Sequence, residues 1–514
     1  MPALMSRPPC WGSVTFMNKT VHRPLTAAAA SVALVCLAAC GNAARIDKAG
    51  VASHAVTDIS LQMPDGTQPD GIYFAQDVAR RSRGTLKVLI DPTTYASSEP
   101  GNEAKLIAAL RAGRVGFGYQ PARDWAAAGV AGFEALEAPF LVTTAQATEK
   151  LAASPVAGAL LRQLTPLGVV GLGLIPNEPR QFLSTRPLIA ASSWQSTSLR
   201  INDSPQTAAL VRAVGSLPVQ GIGSVKVGGM LRSGSVAGVE TSPMYILSNS
   251  YNRDASYLTA YGLFPKFQTI VAGASAWRKL TAAQQAAMRQ AASDTLAFAD
   301  RTVIPLERHE LAGLCAQGLV LDSPSPAQLG ALADEAVRVA PAGGQVAALT
   351  QTIKADVPGT GPQPEAVAPP PQCRTAGTAA EAIALHRLSD PNQPAGRRAT
   401  IPPGTYVTTD TVADFEAGGV YGRDWDKAIT FTTHLYANGT FYQAQQPGYP
   451  DQPSVRGRYN VKGDDVTFSS PDLDDNPETV RWSYYDGQLT FGIVTVQDIA
   501  GIVIYTAHPW TRTG

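Results

Sequence analysis

Near its N-terminal third the chain shows two hydrophobic rhythms in turn. Ile59-Ser60-Leu61-Gln62-Met63 alternates as a half-buried strand does. A turn, Asp65-Gly66-Thr67-Gln68-Pro69-Asp70-Gly71, leads into apolar positions Phe74, Val78 and Ala79 at helical spacing, with Asp70 as the expected N-cap. Gly84 ends that helix and TLKVLID follows as a strand. Residues 102–112 put Leu106, Ile107 and Leu110 on one helical face, Gly113 stops the helix, and VGFGYQ is a third strand. This β-α-β-α-β order predicts a parallel sheet with helices on its faces. Ligands of such sheets sit at the carboxyl ends of the strands. The turn from Pro64 to Gln68 and the loop Tyr119-Gln120-Pro121-Ala122-Arg123 therefore face one crevice, which makes Gln68 a candidate for ligand binding.

Farther along, residues 144–164 read as helical, 169–175 as an apolar strand, and 181–185 and 199–202 as further strands. A helix over 205–214, a strand at 217–219, a short helix over 228–234 and strands near 236–241, 257–264 and 268–274 follow. Thr281 with Gln284 three residues on is a capping box, opening a long helix that bends near Pro305 and continues to Ala316. GLVLD at 318–322 is a strand, and Ser325 opens another helix to about Val339. Residues 355–371 are rich in Pro, Gly and Gln, and 378–388 form one helix. After residue 400 alanine falls and Thr, Tyr, Asp and Gly rise. Eight short alternating runs, from GTYVTT to IVIYTA at 502–507, with a hairpin signal at Asn438-Gly439, predict an up-and-down barrel or a sandwich.

A chain of 514 residues suffices for several cored domains, and its 41 basic and 41 acidic residues balance to zero with no long basic run. That argues against nucleic acid as a partner. No enzyme signature is present. His309-Glu310 lacks the second histidine of a zincin helix, since position 313 is Gly, and the six histidines are scattered, so no metal site and no cofactor are expected. Met17 to Cys40 has a positive start at Lys19 and Arg23 and an apolar run too short to span a bilayer comfortably. Its end, Leu37-Ala38-Ala39-Cys40, resembles a bacterial lipobox, which implies cleavage before Cys40 and lipidation of that residue. Cys315 and Cys373 then either form a disulfide or remain two buried thiols.

Arg180 and Arg200 lie beside the β-prone runs QFLST and LRIND. A guanidinium is planar, stays charged and matches a carboxylate with two parallel donors. These two arginines are expected to face one cleft that holds a carboxylate.

The ordered pieces TLKV, LIAALRAGRVGFGY, LEAPFL, NEPRQFLSTRPL, SWQSTSLRIND, LRSGSVAGVETSP and SAWRKLTAAQQAAM carry a family likeness. Together they resemble the extracytoplasmic solute-binding proteins of tripartite ATP-independent periplasmic (TRAP) transporters, dicarboxylate-binding type, over about Ile59 to Ala355. The resemblance implies an α/β, two-lobed periplasmic-binding-protein fold with a long connecting helix, here followed by a C-terminal antiparallel β-barrel or sandwich. It implies that Arg200 pairs with the substrate carboxylate, that Arg180 supports it, and that Gln120, Arg123 and Thr241 stand at ligand-contacting positions. Thr241 replaces the usual asparagine and Ala237 the usual aspartate, so the substrate departs from the family norm. Residues 401–514 loosely resemble lipocalin-like barrels.

The expected organisation is a signal peptide (1–39), a tether (40–56), a solute-binding domain (57–355), a Pro-rich linker with a short helix (356–400) and the β-domain (401–514). Lobe I takes about 57–177 and 266–305, and lobe II about 178–265 and 306–355. The implied function is capture of a small organic anion by an extracytoplasmic lipoprotein, anchored to the membrane by lipid, for TRAP-type integral membrane permease subunits. The alternatives are an envelope interaction or sensor protein that keeps the fold without transport, and a carrier of an apolar ligand in the barrel.

Overall fold

A computed structural model describes residues 56–361, 369–389 and 400–514, except 419, 421–424, 450–451, 464, 472–476, 486 and 497–498. The expected signal peptide, Cys40 and nearly all of the tether lie outside the described residues.

Two sheets and a barrel organise the chain. The strands before the barrel are β1 (Thr57–Gln62), β2 (Leu86–Asp91), β3 (Phe117–Pro121), β4 (Val169–Pro179), β5 (Gln181–Ser184), β6 (Ser198–Arg200), β7 (Leu217–Val219), β8 (Gly238–Thr241), β9 (Tyr257–Thr259), β10 (Pro265–Gly273), β11 (Val320–Asp322) and β12 (Arg374–Ala376). The first sheet runs β2-β1-β3-β10-β4 and the second β12-β11-β9-β5-β8-β6-β7. β1 pairs in parallel with β2 and β3, as the β-α-β-α-β pattern requires. Two antiparallel segments carry the chain between the sheets. One is β4 into β5, the other β9 into β10, and they meet where Arg180 N–H donates to Phe264 O at 2.9 Å and Leu263 N–H to Arg180 O at 2.7 Å. A third crossing is the long helix Ala282–Ala316, which contains Pro305 and begins with the Thr281–Gln284 capping box. Two-lobed folds of this kind close by bending at such crossings.

Several elements differ from the sequence reading. Residues 144–164 are two main helices, Ala145–Ala152 and Pro155–Arg162, because Ser154 caps a new start and Pro155 cannot continue the first. Asp70 does not cap its helix; Gln68 holds that position, while buried Asp70 accepts a hydrogen bond from the Tyr119 hydroxyl. Helix Gly344–Asp356, expected in lobe II, buries Val346 and Ile353 in the first lobe's core with Trp125, Phe133 and Leu160. The expected linker supplies β12, which pairs with β11 of the second sheet, and Cys373, which forms a disulfide with Cys315 at the end of the long helix.

The β-domain is a closed eight-stranded antiparallel barrel, not a sandwich: β13 (Gly404–Asp410), β14 (Ile429–Leu435), β15 (Thr440–Tyr449), β16 (Gln452–Lys462), β17 (Asp465–Ser469), β18 (Glu478–Tyr485), β19 (Gln488–Thr495) and β20 (Trp510–Arg512). β20 closes the ring by pairing with β13, Tyr406 opposite Arg512. IVIYTA, expected as the last strand, lies in a helix, Ile499–Thr506, packed against β19. A short apolar run has no period that separates a buried strand from a buried helix. The barrel leans on both lobes. Ile72 and Phe298 join its hydrophobic core, the Arg253 guanidinium donates to Trp482 O and lies 4.5 Å from the Trp482 ring, and Gln317 accepts from the Ser483 hydroxyl at 2.9 Å. Gly492 sits against the backbone of Leu247 so closely that a Cβ there would lie 2.3 Å from Leu247 C.

Candidate functional site

Between the lobes lies a cleft of about 360 Å³. The first lobe contributes Asp65 after β1, Arg123 after β3, Glu103, and Lys266 on β10. The second contributes Arg180 at the crossing, Arg200 at the end of β6, Asn202, Glu240 and Thr241 at the end of β8, and Tyr245 and Tyr251. The barrel contributes Arg481 and Ile493. Five cations (Arg123, Arg180, Arg200, Lys266, Arg481) line the cleft with three acids (Asp65, Glu103, Glu240), and Asp124 and Asp465 stand beside Arg123 and Arg481, so its preference for an anion turns on which cation is left unpaired.

The cations are not equivalent. Buried Arg180 donates from Nε to Glu240 Oε1 at 2.9 Å and from Nη2 to Glu240 O at 2.8 Å. Burial opposes the charge on Glu240, but Arg180 and hydrogen bonds from Asn202 hold its carboxyl below the ordinary value. Arg180 is therefore neutralised within the protein and braces the second lobe at the crossing. Lys266 is paired with Asp65 and hydrogen-bonded to the Tyr245 hydroxyl. Burial pushes the Lys266 ammonium down to about 8 against the pull of Asp65. Burial also opposes ionisation of Asp65, but Lys266 and Arg123 keep its carboxyl well below the usual carboxylate range. Arg123 lies 3.6 Å from both Asp65 and Asp124 and 3.9 Å from Glu103. Burial works against its charge, and these acids outweigh it.

Arg200 differs. Its Nε and Nη2 donate to Ile222 O at 3.2 and 2.7 Å and its Nη1 to Asn202 Oδ1 at 3.0 Å. All three contacts are to neutral oxygens, and burial shifts its guanidinium downward from the ordinary value. Among the described residues no carboxylate forms an ion pair with it within 4.0 Å. A half-buried, fixed cation held by neutral acceptors can take a carboxylate as its counter-charge. A second hollow of about 260 Å³ shares Glu103, Arg123, Arg200 and Asn202 with the cleft, so Arg200 stands where the two spaces meet.

The fold thus gathers Arg180, Arg200, Arg123 and Thr241 on the cleft wall. It does not bring Gln68 or Gln120 there. Gln68 is buried and accepts from Asn177 Nδ2 at 3.0 Å at the crossing. Gln120 is fully buried, and its amide donates to Glu103 O at 3.3 Å and Asp124 Oδ2 at 3.2 Å, behind the wall that Arg123 forms. Both amides are engaged by neighbouring elements, Gln68 Nε2 reaching the hydroxyl of the cleft residue Tyr245 at 3.4 Å, so each stands one layer behind the lining. The reading of sequence missed Lys266, Tyr245 and Arg481. Lys266 follows Phe264-Pro265 in a wholly buried strand, and a lysine in such a run is itself a signal. Arg481 had none, because it lies in a different domain.

The sequence pattern of "bacterial extracellular solute-binding protein, family 7" matches residues 70–341, just over half of the chain. A C4-dicarboxylate-binding periplasmic protein of Shewanella loihica is 26% identical over 160 residues, 31% of this chain and 47% of that one. One of Rhodobacter capsulatus is 21% identical over 255 residues, 47% of this chain and 76% of that one. Among solved structures, a TRAP periplasmic solute-binding protein of Bradyrhizobium sp. BTAi1 in complex with D-galacturonate aligns with a TM-score of 0.52 at 19% identity, over 58% of this chain and all of that one. One of Haemophilus influenzae with bound L-gulonate aligns at 0.53 and 16% identity, over 58% of this chain and 99% of that one.

Proposed function

The chain belongs to family 7 of the bacterial extracellular solute-binding proteins, and from that premise we propose that its cleft captures a small organic acid through Arg200. The observation that carries this reading is the cation at position 200, held by neutral oxygens, opening into a space of about 360 Å³ between two lobes. Lobe closure around the anion would remove its water, and the guanidinium fork would replace it. Arg180, already occupied by Glu240, positions the wall rather than holding ligand directly. Arg123 and Lys266 add positive potential, and the hydroxyls of Thr241 and Tyr245 fit the polar groups of a hydroxylated acid. The C4-dicarboxylates named for the two relatives, and the D-galacturonate and L-gulonate of the two structures, define the class to try first.

The lipobox-like run ending in Cys40 supports a lipid-anchored, extracytoplasmic receptor, and the family supports handover to TRAP-type permease subunits. Calorimetric titration of the purified chain against sugar acids and C4-dicarboxylates tests the binding claim. The expected result is saturable binding of at least one acid that disappears when its carboxylate is replaced by an amide. Equal binding of the acid and its amide, or no binding by any acid, rejects the reading.

A second reading rests on a separate observation. The barrel encloses about 340 Å³ lined by Tyr406, Phe431, Phe441, Phe468, Phe491 and Trp510 among others, a space suited to an apolar molecule. Saturable uptake of a fluorescent apolar probe, unaffected by organic acids, would support it.

A further inference from the structure

Two of the six histidines, far apart along the chain, come together in space. His309 lies on the long helix, Asp414 on the short helix Val412–Ala417 that follows β13, and His508 just before β20. His309 Nε2 is 3.1 Å from Asp414 Oδ1, and His508 Nε2 is 2.9 Å from Asp414 Oδ2. The imidazoles meet edge to face at 5.5 Å, and one donor atom from each of the three residues lies within 4.8 Å of the others. Nitrogen and oxygen ligands about 2.0–2.1 Å from a tetrahedral zinc ion are about 3.3 Å from one another. The two nitrogen–oxygen distances are already close to that value, and the two imidazole nitrogens, which lie within 4.8 Å of each other, would draw together around the ion.

An independent observation points the same way. Asp410, at the end of β13, is fully buried, and among the described residues neither of its carboxylate oxygens has a hydrogen-bond partner. It lies near enough for its charge to act on His508 and Asp414. Burial pushes the Asp410 carboxyl up to about 8, so the metal-free protein keeps it protonated, and a cation bound beside it would let it ionise. Thr411 supplies an outer layer of support: its backbone N–H and hydroxyl donate to Asp414 Oδ2 at 2.6 and 2.7 Å and fix the orientation of that carboxylate.

We propose that His309, Asp414 and His508 bind a divalent transition-metal ion, zinc by ligand type, with Asp410 as the buried counter-charge beside it. Two ligands come from the barrel domain and one from the helix that joins the two lobes. The ion would tie the barrel to the solute-binding domain through residues that do not line the cleft.

The test uses the full chain stripped with a chelator, then titrated with zinc chloride while metal content and melting temperature are followed. The expected result is one zinc per chain, a higher melting temperature, and an affinity at least tenfold weaker in His309→Ala, His508→Ala and Asp410→Asn. Zinc uptake that is absent, or of the same stoichiometry and affinity in both histidine variants, overturns the proposal. If a variant does not fold, cobalt replaces zinc in the parent chain: intense visible bands of a four-coordinate ion support the site, and the weak bands of a hydrated ion overturn it.

Discussion

The cleft and the barrel interior enclose nearly equal volumes, about 360 and 340 Å³, yet are built on opposite principles. The barrel lining comes from one continuous segment whose inward positions recur at period two, so that Ile429, Phe431 and Leu435 are buried in turn along β14. The cleft lining comes from the ends of β1, β6 and β8, from β10, from a chain crossing and from two barrel strands. Its character depends on which charge meets which. Arg180 and Lys266 are spent on internal pairs, while Arg200 is not. An apolar lining is thus a property of a pattern, whereas a binding charge is a property of what its neighbours leave over.

The largest effect expected from that difference is on Arg200. Arg200→Ala should weaken binding of an organic acid by about 2–5 kcal/mol, roughly 30-fold to several thousandfold, as removal of one partner from a desolvated charge pair does. Titration calorimetry reads it. A loss below threefold would mean that a neutralised cation such as Arg180 carries the ligand instead, and the contrast between spent and spare charges would fail. Next is Phe468→Ala in the barrel. The ring is buried and packs edge to face on Phe441 at 5.3 Å. Its removal should destabilise the chain by about 3 kcal/mol, the low end for such a change because the ring already borders a hollow. Urea unfolding measures this. Affinity for the acid should stay within twofold, and a parallel loss would show that the two regions are one energetic unit.

Within any one pH unit a smaller effect is expected of Glu137. Glu137 is buried behind the cleft, and burial followed by the charge of Glu240 pushes its carboxyl up to about 8. The folded chain therefore holds a proton that the unfolded chain releases near the ordinary value of 4.5. Between those two values the unfolded state binds fewer protons, so this residue's contribution to stability falls as pH rises and is gone above about 8. Glu137→Gln has no proton to lose. The stability difference between variant and parent should shift in the variant's favour through that window, by no more than about 1.4 kcal/mol per pH unit. Urea unfolding at several pH values checks it. A constant difference would mean that Glu137 is ionised in the folded protein.

What could be read from sequence follows the same divide. The β-α-β-α-β start, the capping box at Thr281 and the helix start at Ser325 are local, each set by residues within a turn or two, and the structure contains them. The helix over 499–506 was hidden because an apolar run buried on all sides has no periodicity to betray it. The lobe chosen by Val346 and Ile353 was hidden because an apolar helix face does not name its partner. The grouping of His508 with Asp414, 94 positions apart, rests on closure of the barrel. Arg180 and Arg200 could be placed in one cleft, but that Glu240 would neutralise only the first depends on the pairing of β5 with β8, which sets Phe182 opposite Glu240.

The least of these effects is the most direct probe of whether the barrel belongs to the cleft. Arg481 lines the cleft from β18, is partly exposed, and donates from Nε to Asp465 Oδ1 at 2.7 Å within the barrel. Its charge is therefore shared, and solvent screens it. Arg481→Gln should weaken acid binding by about 1 kcal/mol, roughly fivefold, with most of the loss disappearing at high salt. Titration at low and high ionic strength separates the two contributions. No loss at low salt would make the barrel a bystander docked beside the cleft. A loss as large as that of Arg200→Ala, insensitive to salt, would make it a third wall of the site that grips the ligand directly, and ligand capture would then require the barrel to stay seated while the lobes close.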